Sequence, residues 1–180
     1  MRVISGKARG VVLKTPEGLN TRPTADRVKE ALFSIIQFDL PGTRVLDLFG
    51  GTGQLGIEAL SRGAKSAVFV DAGEKACALI KENLRRCKME NDGKVFRSDY
   101  LKYLENCRET FDIVLLDPPY AEVFLENSLK KLSEIDILQS GGIIVAERPV
   151  EKELILTLPG FTRSKDYKYG KTLLTLFRKG

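Results

Sequence analysis

Short apolar runs alternate along this chain with stretches whose apolar residues recur at helical spacing. Five of these runs predict buried strands, at 44–49, 66–71, 94–99, 111–117 and 143–148. Three intervening stretches predict helices, at about 53–62, 73–88 and 122–133. Strands that alternate with helices are typical of an α/β protein with a mostly parallel sheet.

The two ends of the chain follow a different pattern. Residues 2–14 predict a small basic hairpin that turns at Gly6-Lys7, and "RPTADRVKEALFSII" predicts a helix with Thr24 as its N-cap. The last segment, "FTRSKDYKYGKTLLTLFRK", alternates around Gly170 and predicts an antiparallel hairpin. We therefore expect one domain, 1–180, with a hairpin-and-helix extension at 1–40 and a sheet core at 41–180.

Composition narrows the class of protein. The 180 residues are 43% hydrophobic and 29% charged, and no apolar run reaches the roughly 20 residues of a membrane span. Without a signal-like N-terminus, a cytoplasmic protein is expected. The three cysteines form no CxxC pair and there is no histidine, so the sequence predicts neither a metal site nor a histidine-based triad.

Positive charge is concentrated at the two ends. Residues 1–30 carry a net charge of +4 and residues 161–180 a net charge of +5, which leaves −4 for the middle of a chain whose total is +5. Two basic ends around an acidic middle indicate a surface for a polyanion. The candidate residues for contact with RNA are Arg2, Lys7, Arg9, Lys165, Lys168 and Lys171.

A glycine turn follows the first predicted strand. "GTGQLG", Gly51 to Gly56, matches the GxGxxG pattern of dinucleotide-binding turns, and Asp71 ends the next strand, where a carboxylate can accept from two ribose hydroxyls. NAD needs both features, and so does S-adenosylmethionine. The turn therefore predicts a nucleotide-like ligand without choosing between a dehydrogenase and a methyltransferase.

The segment "LLDPPY", Leu115 to Tyr120, favours the second alternative. Two prolines stiffen the turn and remove two N–H donors, so Asp117 and the carbonyl of Pro118 can accept from an exocyclic amine while Tyr120 stacks on the base. Such a set has no use in hydride transfer, but it suits methyl transfer to a nucleobase.

These motifs carry a family resemblance. "DLFGGTGQLGIEALSRGA", "LLDPPY" and "RPTADRVKEALF" together resemble the RsmD family, bacterial 16S ribosomal RNA guanine-N2 methyltransferases, over nearly the whole chain. The resemblance implies a Rossmann-like class I methyltransferase fold: a seven-stranded, mostly parallel sheet with an antiparallel last strand and helices on both faces. It also implies methyl transfer from S-adenosylmethionine to N2 of a guanine in ribosomal RNA or in the small ribosomal particle. We expect the protein to be a monomer.

The resemblance and the motifs together assign roles to named residues. Asp117, Pro118 and Tyr120 are the candidate catalytic residues. The candidate cofactor residues are Asp47, Gly51 and Gly53 for the methionine end, Asp71 for the ribose and Asp99 for the adenine amine, with Arg22 and Thr24 closing over the site. Two alternatives stay open: an adenine-N6 methyltransferase of the DPPY type acting on DNA or RNA, and a Rossmann domain that binds a nicotinamide cofactor or has no enzymatic activity.

Overall fold

The computed structural model describes residues 1–18, 23–119 and 122–180, in which strands and helices alternate. The helices are α1 (Pro23–Ile35), α2 (Gln54–Ser61), α3 (Glu74–Arg86), α4 (Tyr100–Asn106) and α5 (Glu122–Glu134). The strands are β1 (Arg44–Asp47), β2 (Ser66–Asp71), β3 (Gly93–Arg97), β4 (Phe111–Leu116), β5 (Leu138–Pro149), β6 (Phe161–Arg163), β7 (Tyr167–Tyr169) and β8 (Thr172–Lys179).

All the strands belong to one sheet. Their order is β3-β2-β1-β4-β5-β8-β6, with β7 also paired to β8. Strands β1 to β5 run parallel, and β8 runs antiparallel to β5. This confirms the predicted fold class. The sheet has eight strands where seven were expected, because the position beside β8 is divided between β6 at one end and β7 at the other.

Helices cover both faces of the sheet because successive side chains of a strand point to opposite sides. Val45, Ile113 and Ile143 pack on one face with α1, α2 and α3. Their neighbours Leu46, Val114 and Ile144 pack on the other face with α4 and α5. Both faces of the central strands are therefore buried, as expected for a parallel sheet.

Helix α4 was not predicted from the sequence, and β3 ends at Arg97 rather than at 99. The Asp99 carboxylate starts this helix by accepting from the backbone N–H groups of Leu101 and Lys102, at 3.0 and 3.1 Å. With seven residues, the helix is too short to display a clear apolar period.

A buried carboxylate ties the N-terminal segment to the core. Glu58 of α2 is fully buried and accepts from the backbone N–H groups of Ile4 and Ser5, at 2.9 and 3.0 Å, and from Nε of Arg62 at 2.8 Å. The turn at Gly6 to Arg9 lies against Ser61, where α2 ends. Since α2 starts beside the carboxyl ends of the strands, this turn lies at the opposite, amino edge of the sheet.

None of the helices in the described ranges combines the length and the apolar character needed to cross a membrane.

Candidate active site

Four strands end in a carboxylate at the same edge of the sheet. Asp47 and Asp71 are the last residues of β1 and β2, Asp117 directly follows β4, and Glu147 lies near the end of β5. The residues before them, Leu46, Val70, Leu116 and Ala146, all face the α4–α5 side of the sheet. The four carboxylates therefore point to the other face, at the carboxyl edge where open α/β sheets bind ligands.

Two cavities meet at this edge. A cleft of about 530 Å³ runs from the glycine turn to the end of β5, and a smaller pocket of about 190 Å³ lies on the other side of the Asp-Pro-Pro turn. The two cavities share four lining residues: Asp117, Pro118, Pro119 and Glu147. A ligand in the cleft and a second ligand in the pocket would therefore meet at Asp117 and Glu147.

The two glycines proposed for cofactor binding have different roles. Gly51, with φ +55°, lines the cleft and leaves open space where a Cβ would stand. Gly53, with φ +81°, does not line the cleft, and a Cβ there would lie 3.2 Å from Ile80 Cγ2 and 3.3 Å from Ile57 Cδ1. Gly51 thus shapes the ligand surface, whereas Gly53 allows α2 and α3 to pack closely beneath it.

Asp71 and Asp99 line the cleft with their carboxylates fixed by backbone amides. Asp71 accepts from the N–H groups of Gly51 and Gly73, at 2.9 and 2.8 Å, which holds the turns after β1 and β2 together. Asp99 uses one oxygen to cap α4, as described above. Both carboxylates are therefore held in fixed positions at the wall of the cleft.

Asp47 lies beneath the glycine turn and does not line the cleft. Its Oδ2 accepts from the N–H of Gly56 at 3.1 Å, while Oδ1 is buried without a partner among the described residues. Burial raises the pKa of Asp47 to about 7, against the lowering effect of the Gly56 hydrogen bond. The Oε1 atom of Gln54, in a residue that lines the cleft, is also buried and unpartnered there.

Asp117 and Glu147 are neighbours across β4 and β5. Leu116 pairs with Ala146 in the parallel register, so the next residue of each strand carries a carboxylate on the same face. Burial raises the pKa of Asp117 to about 6. Burial and the adjacent negative charge of Asp117 raise the pKa of Glu147 to about 8. The pair therefore binds its protons more tightly than isolated carboxylates do.

Sequence reasoning missed several residues that line the cleft. Phe49, Tyr100 and Phe124 form an aromatic cluster, with ring centroids 5.2 to 6.2 Å apart. Lys29 of α1 also lines it; its buried Nζ donates to the carbonyl of Arg2 at 2.8 Å, and burial lowers its pKa. Glu147 was missed as well. Phe49 directly precedes the glycine turn and Tyr100 directly follows Asp99, and this proximity to the motifs is the sequence feature from which both could have been predicted.

The basic residues do not form one surface. Lys7 and Arg9 lie at the turn on the amino edge, where Lys7 pairs with Asp92 at 3.0 Å. Lys168 and Lys171 lie at the carboxyl edge, since the hairpin of β7 and β8 begins opposite the end of β5. Arg2 is near the cleft through its bond to Lys29, and Lys165 precedes β7.

Three of the proposed site residues are outside this description. Arg22 and Tyr120 lie outside the described residues, and so does the side chain of Thr24. Their roles stay predictions.

A cleft at the carboxyl edge of this sheet, between a glycine turn and an Asp-Pro-Pro turn, defines a Rossmann-like methyltransferase. Residues 1–178 match the family model described as "Conserved hypothetical protein 95", and the chain belongs to this family, the RsmD family.

Named relatives support the same class. A Bacillus subtilis protein provisionally named rRNA methyltransferase YlbH is 42% identical over 99% of each chain. Ribosomal RNA small subunit methyltransferase D of Haemophilus influenzae is 36% identical over 86% of this chain and 82% of that protein. The solved structure of a protein from Escherichia coli, provisionally named methyltransferase YhhF, superposes with a TM-score of 0.90 at 27% identity, covering 99% of this chain and 97% of that one. This chain is a methyltransferase.

Proposed function

We propose that this protein transfers a methyl group from S-adenosylmethionine to N2 of a guanine in small-subunit ribosomal RNA, either as RNA or within the assembled particle. The observation that carries the proposal is the meeting of two cavities at the Asp117-Pro118 turn. One cavity has the acceptors that a nucleoside cofactor needs, and the other adjoins the acceptors that an exocyclic amine needs. The names of the relatives support ribosomal RNA as the nucleic acid that is methylated.

The residues of the cleft fit S-adenosylmethionine. Gln54 lines the cleft and its Oε1 is a buried acceptor without a partner among the described residues, to which the α-amino group of the methionine end would donate. Asp71 would accept from the ribose hydroxyls and Asp99 from the adenine amine. The rings of Phe49, Tyr100 and Phe124 would flank the adenine.

The chain's own residues position the amine. Proline offers a carbonyl and no N–H, so Asp117 and the carbonyl of Pro118 can accept from both hydrogens of the exocyclic N2. Holding the amine this way directs its lone pair toward the cleft, and positioning supplies most of the rate gain in a displacement of this kind. S-adenosylmethionine, when bound, supplies an electrophilic methyl group.

The reaction balances without metal or histidine. The N2 lone pair forms the new N–C bond, the S–C bond breaks, and its electrons remain on the neutral thioether. The amine loses one proton, which the Asp117 carboxylate accepts. Asp117 is ionised above about pH 6, so this acceptor is available at neutral pH.

The test is methylation of small ribosomal subunits, and of RNA extracted from them, from cells that lack the protein. Purified protein and methyl-labelled S-adenosylmethionine should yield labelled N2-methylguanosine on nucleoside analysis, and Asp117→Asn should serve as the inactive control. Labelled N6-methyladenosine would support the adenine-N6 alternative instead. Binding of NADH without any methyl transfer would support the nicotinamide alternative.

A further inference from the structure

The position of Glu147 carries an inference that rests on the proposed function. We propose that Glu147 selects guanine by pairing its carboxyl group with the N1–H and O6 groups of the base whose N2 is held at Asp117 and Pro118. Glu147 would then be a specificity-determining residue, distinct from the groups that hold the reacting amine.

The register of the sheet sets the spacing. Glu147 lies beside Asp117 on the neighbouring strand and on the same face of the sheet, about 4.8 Å away along the hydrogen-bonding direction. Both residues line the cleft and the smaller pocket. A base whose amine contacts Asp117 in this opening would therefore present the adjacent ring edge to Glu147.

The neighbouring ring edge differs between the two candidate bases. Next to its N2 amine, guanine presents N1–H, a donor, followed by O6, an acceptor. Next to its N6 amine, adenine presents N1, an acceptor, followed by C2–H. A carboxyl group that holds a proton can accept from N1–H and donate to O6 of guanine, but it has at most one partner on adenine.

The surroundings favour the protonated form that this pairing needs. Burial and the charge of Asp117 raise the pKa of Glu147 to about 8, so the carboxyl group holds its proton at neutral pH. The charged groups that line the two cavities with it are Lys29 on α1, Asp71 of β2, Asp99 before α4, Asp117 after β4, Glu126 on α5, Arg148 of β5, and Glu151, Lys152 and Glu153 after β5. Six of these nine are acidic, and Arg148 is paired with Asp166, which also favours the neutral form of Glu147.

No hydrogen bond within the described residues engages the Glu147 carboxyl group. The buried carboxylate Glu58, in contrast, accepts from two backbone N–H groups and from Arg62. A half-buried polar side chain without a hydrogen-bond partner among the described residues, at a wall shared by two cavities, is placed to bind a ligand.

The test compares guanine with 2-aminopurine at the modified nucleotide, once product analysis has mapped it. 2-Aminopurine keeps the N2 amine but has neither N1–H nor O6. Small subunits are reconstituted around ligated 16S RNA that carries either base. For the wild-type protein we expect kcat/KM to fall on the order of 10- to 100-fold with 2-aminopurine, the range of a bidentate base contact.

Two variants give the second readout. In Glu147→Leu the preference for guanine should disappear, whereas Glu147→Gln, which keeps one acceptor and one donor, should retain it. Wild-type activity on guanine should decline as the pH rises through about 8, because Glu147 loses its proton there. Glu147→Gln should lack this alkaline decline. Binding of S-adenosylhomocysteine and circular dichroism report whether each variant is folded.

The outcomes separate this inference from the proposed function. A product other than N2-methylguanosine would overturn the proposed function. Equally efficient methylation of the N2 amine of guanine and of 2-aminopurine by the wild-type protein would leave that function intact and overturn the role of Glu147. An unchanged guanine preference in folded Glu147→Leu would overturn it too.

Discussion

Asp71 and Asp99, on the β1–β3 side of the cleft, each accept two backbone hydrogen bonds, whereas Asp117 and Glu147, on the β4–β5 side, accept none within the described residues. The first pair is held in place by the turns that it stabilises. The second pair consists of two half-buried acidic groups side by side, with pKa values raised to about 6 and about 8. One side is therefore preorganised by the fold, and the other keeps its polar groups for a ligand.

The two pairs therefore differ in what they contribute to the stability of the fold. A carboxylate that accepts backbone hydrogen bonds contributes to the stability of the fold even in the absence of ligand. Two acidic groups buried next to each other destabilise it when both are ionised. The β4–β5 pair thus has an energetic cost that only binding of a donor-rich ligand would offset, as is common at active sites.

The largest expected effect is that of Asp117→Asn on methyl transfer. The amide cannot accept the proton of the amine, so kcat should fall about 10²- to 10⁴-fold, the usual contribution of a general base. Affinity for S-adenosylhomocysteine, measured by titration calorimetry, should change little. Glu126→Gln, at a carboxylate that also lines the smaller pocket, is the matched control. A near-normal kcat in Asp117→Asn would contradict the view that the β4–β5 side of the cleft carries the groups that act on the substrate.

The next effect is that of Asp71→Asn on cofactor affinity. Losing the charge on this acceptor weakens hydrogen bonds to ribose and to the glycine turn, each about 1.5–3 kcal/mol when charge-assisted. The Kd for S-adenosylhomocysteine should therefore rise about 10- to 100-fold. Asp92→Asn, at an exposed carboxylate paired with Lys7, should leave it unchanged. If the protein bound NADH tightly and did not bind S-adenosylhomocysteine, the proposal that this side of the cleft holds S-adenosylmethionine would be contradicted.

A smaller effect concerns the pH dependence of stability. The pKa of Glu147 in the folded protein, about 8, lies above its unfolded value, so this group destabilises the fold increasingly from about pH 4.5 up to about pH 8. Glu147→Gln should therefore melt at a higher temperature than the wild type at pH 9, by about 3–6 °C for 1–2 kcal/mol. The difference should be smallest near pH 5. Equal melting temperatures of the wild type and Glu147→Gln at pH 9 would show that repulsion between ionised Asp117 and Glu147 does not destabilise the fold.

The smallest effect separates the basic residues at the two edges. If the carboxyl edge contacts RNA, replacing Lys168 and Lys171 by alanine should reduce the slope of log K against log salt by about 1–2 units. The same change at Lys7 and Arg9, which lie at the amino edge, should reduce it less. Equal reductions, measured by filter binding at several salt concentrations, would indicate one RNA surface that wraps around both edges.

Local features of the chain were sufficient for much of the site. The end of a strand, a glycine turn and an Asp-Pro-Pro turn are each encoded within a few residues, so Gly51, Asp71, Asp99 and Asp117 could be predicted to meet at the carboxyl edge. They do line one cleft. Gly53 fits the same local pattern, but it does not line the cleft, and a Cβ there would crowd Ile80 of α3.

The sequence by itself determined the five parallel strands, the fold class and the two turns, because these depend on local periodicity and backbone constraints. Only the tertiary structure decided that Glu147 stands beside Asp117, since this follows from the β4–β5 register, and that Lys29 reaches the cleft from the N-terminal extension. It also separated Lys7 and Arg9 from Lys168 and Lys171. Those positions depend on where α2 and β8 run across the sheet, and charge counts along a chain carry no such information.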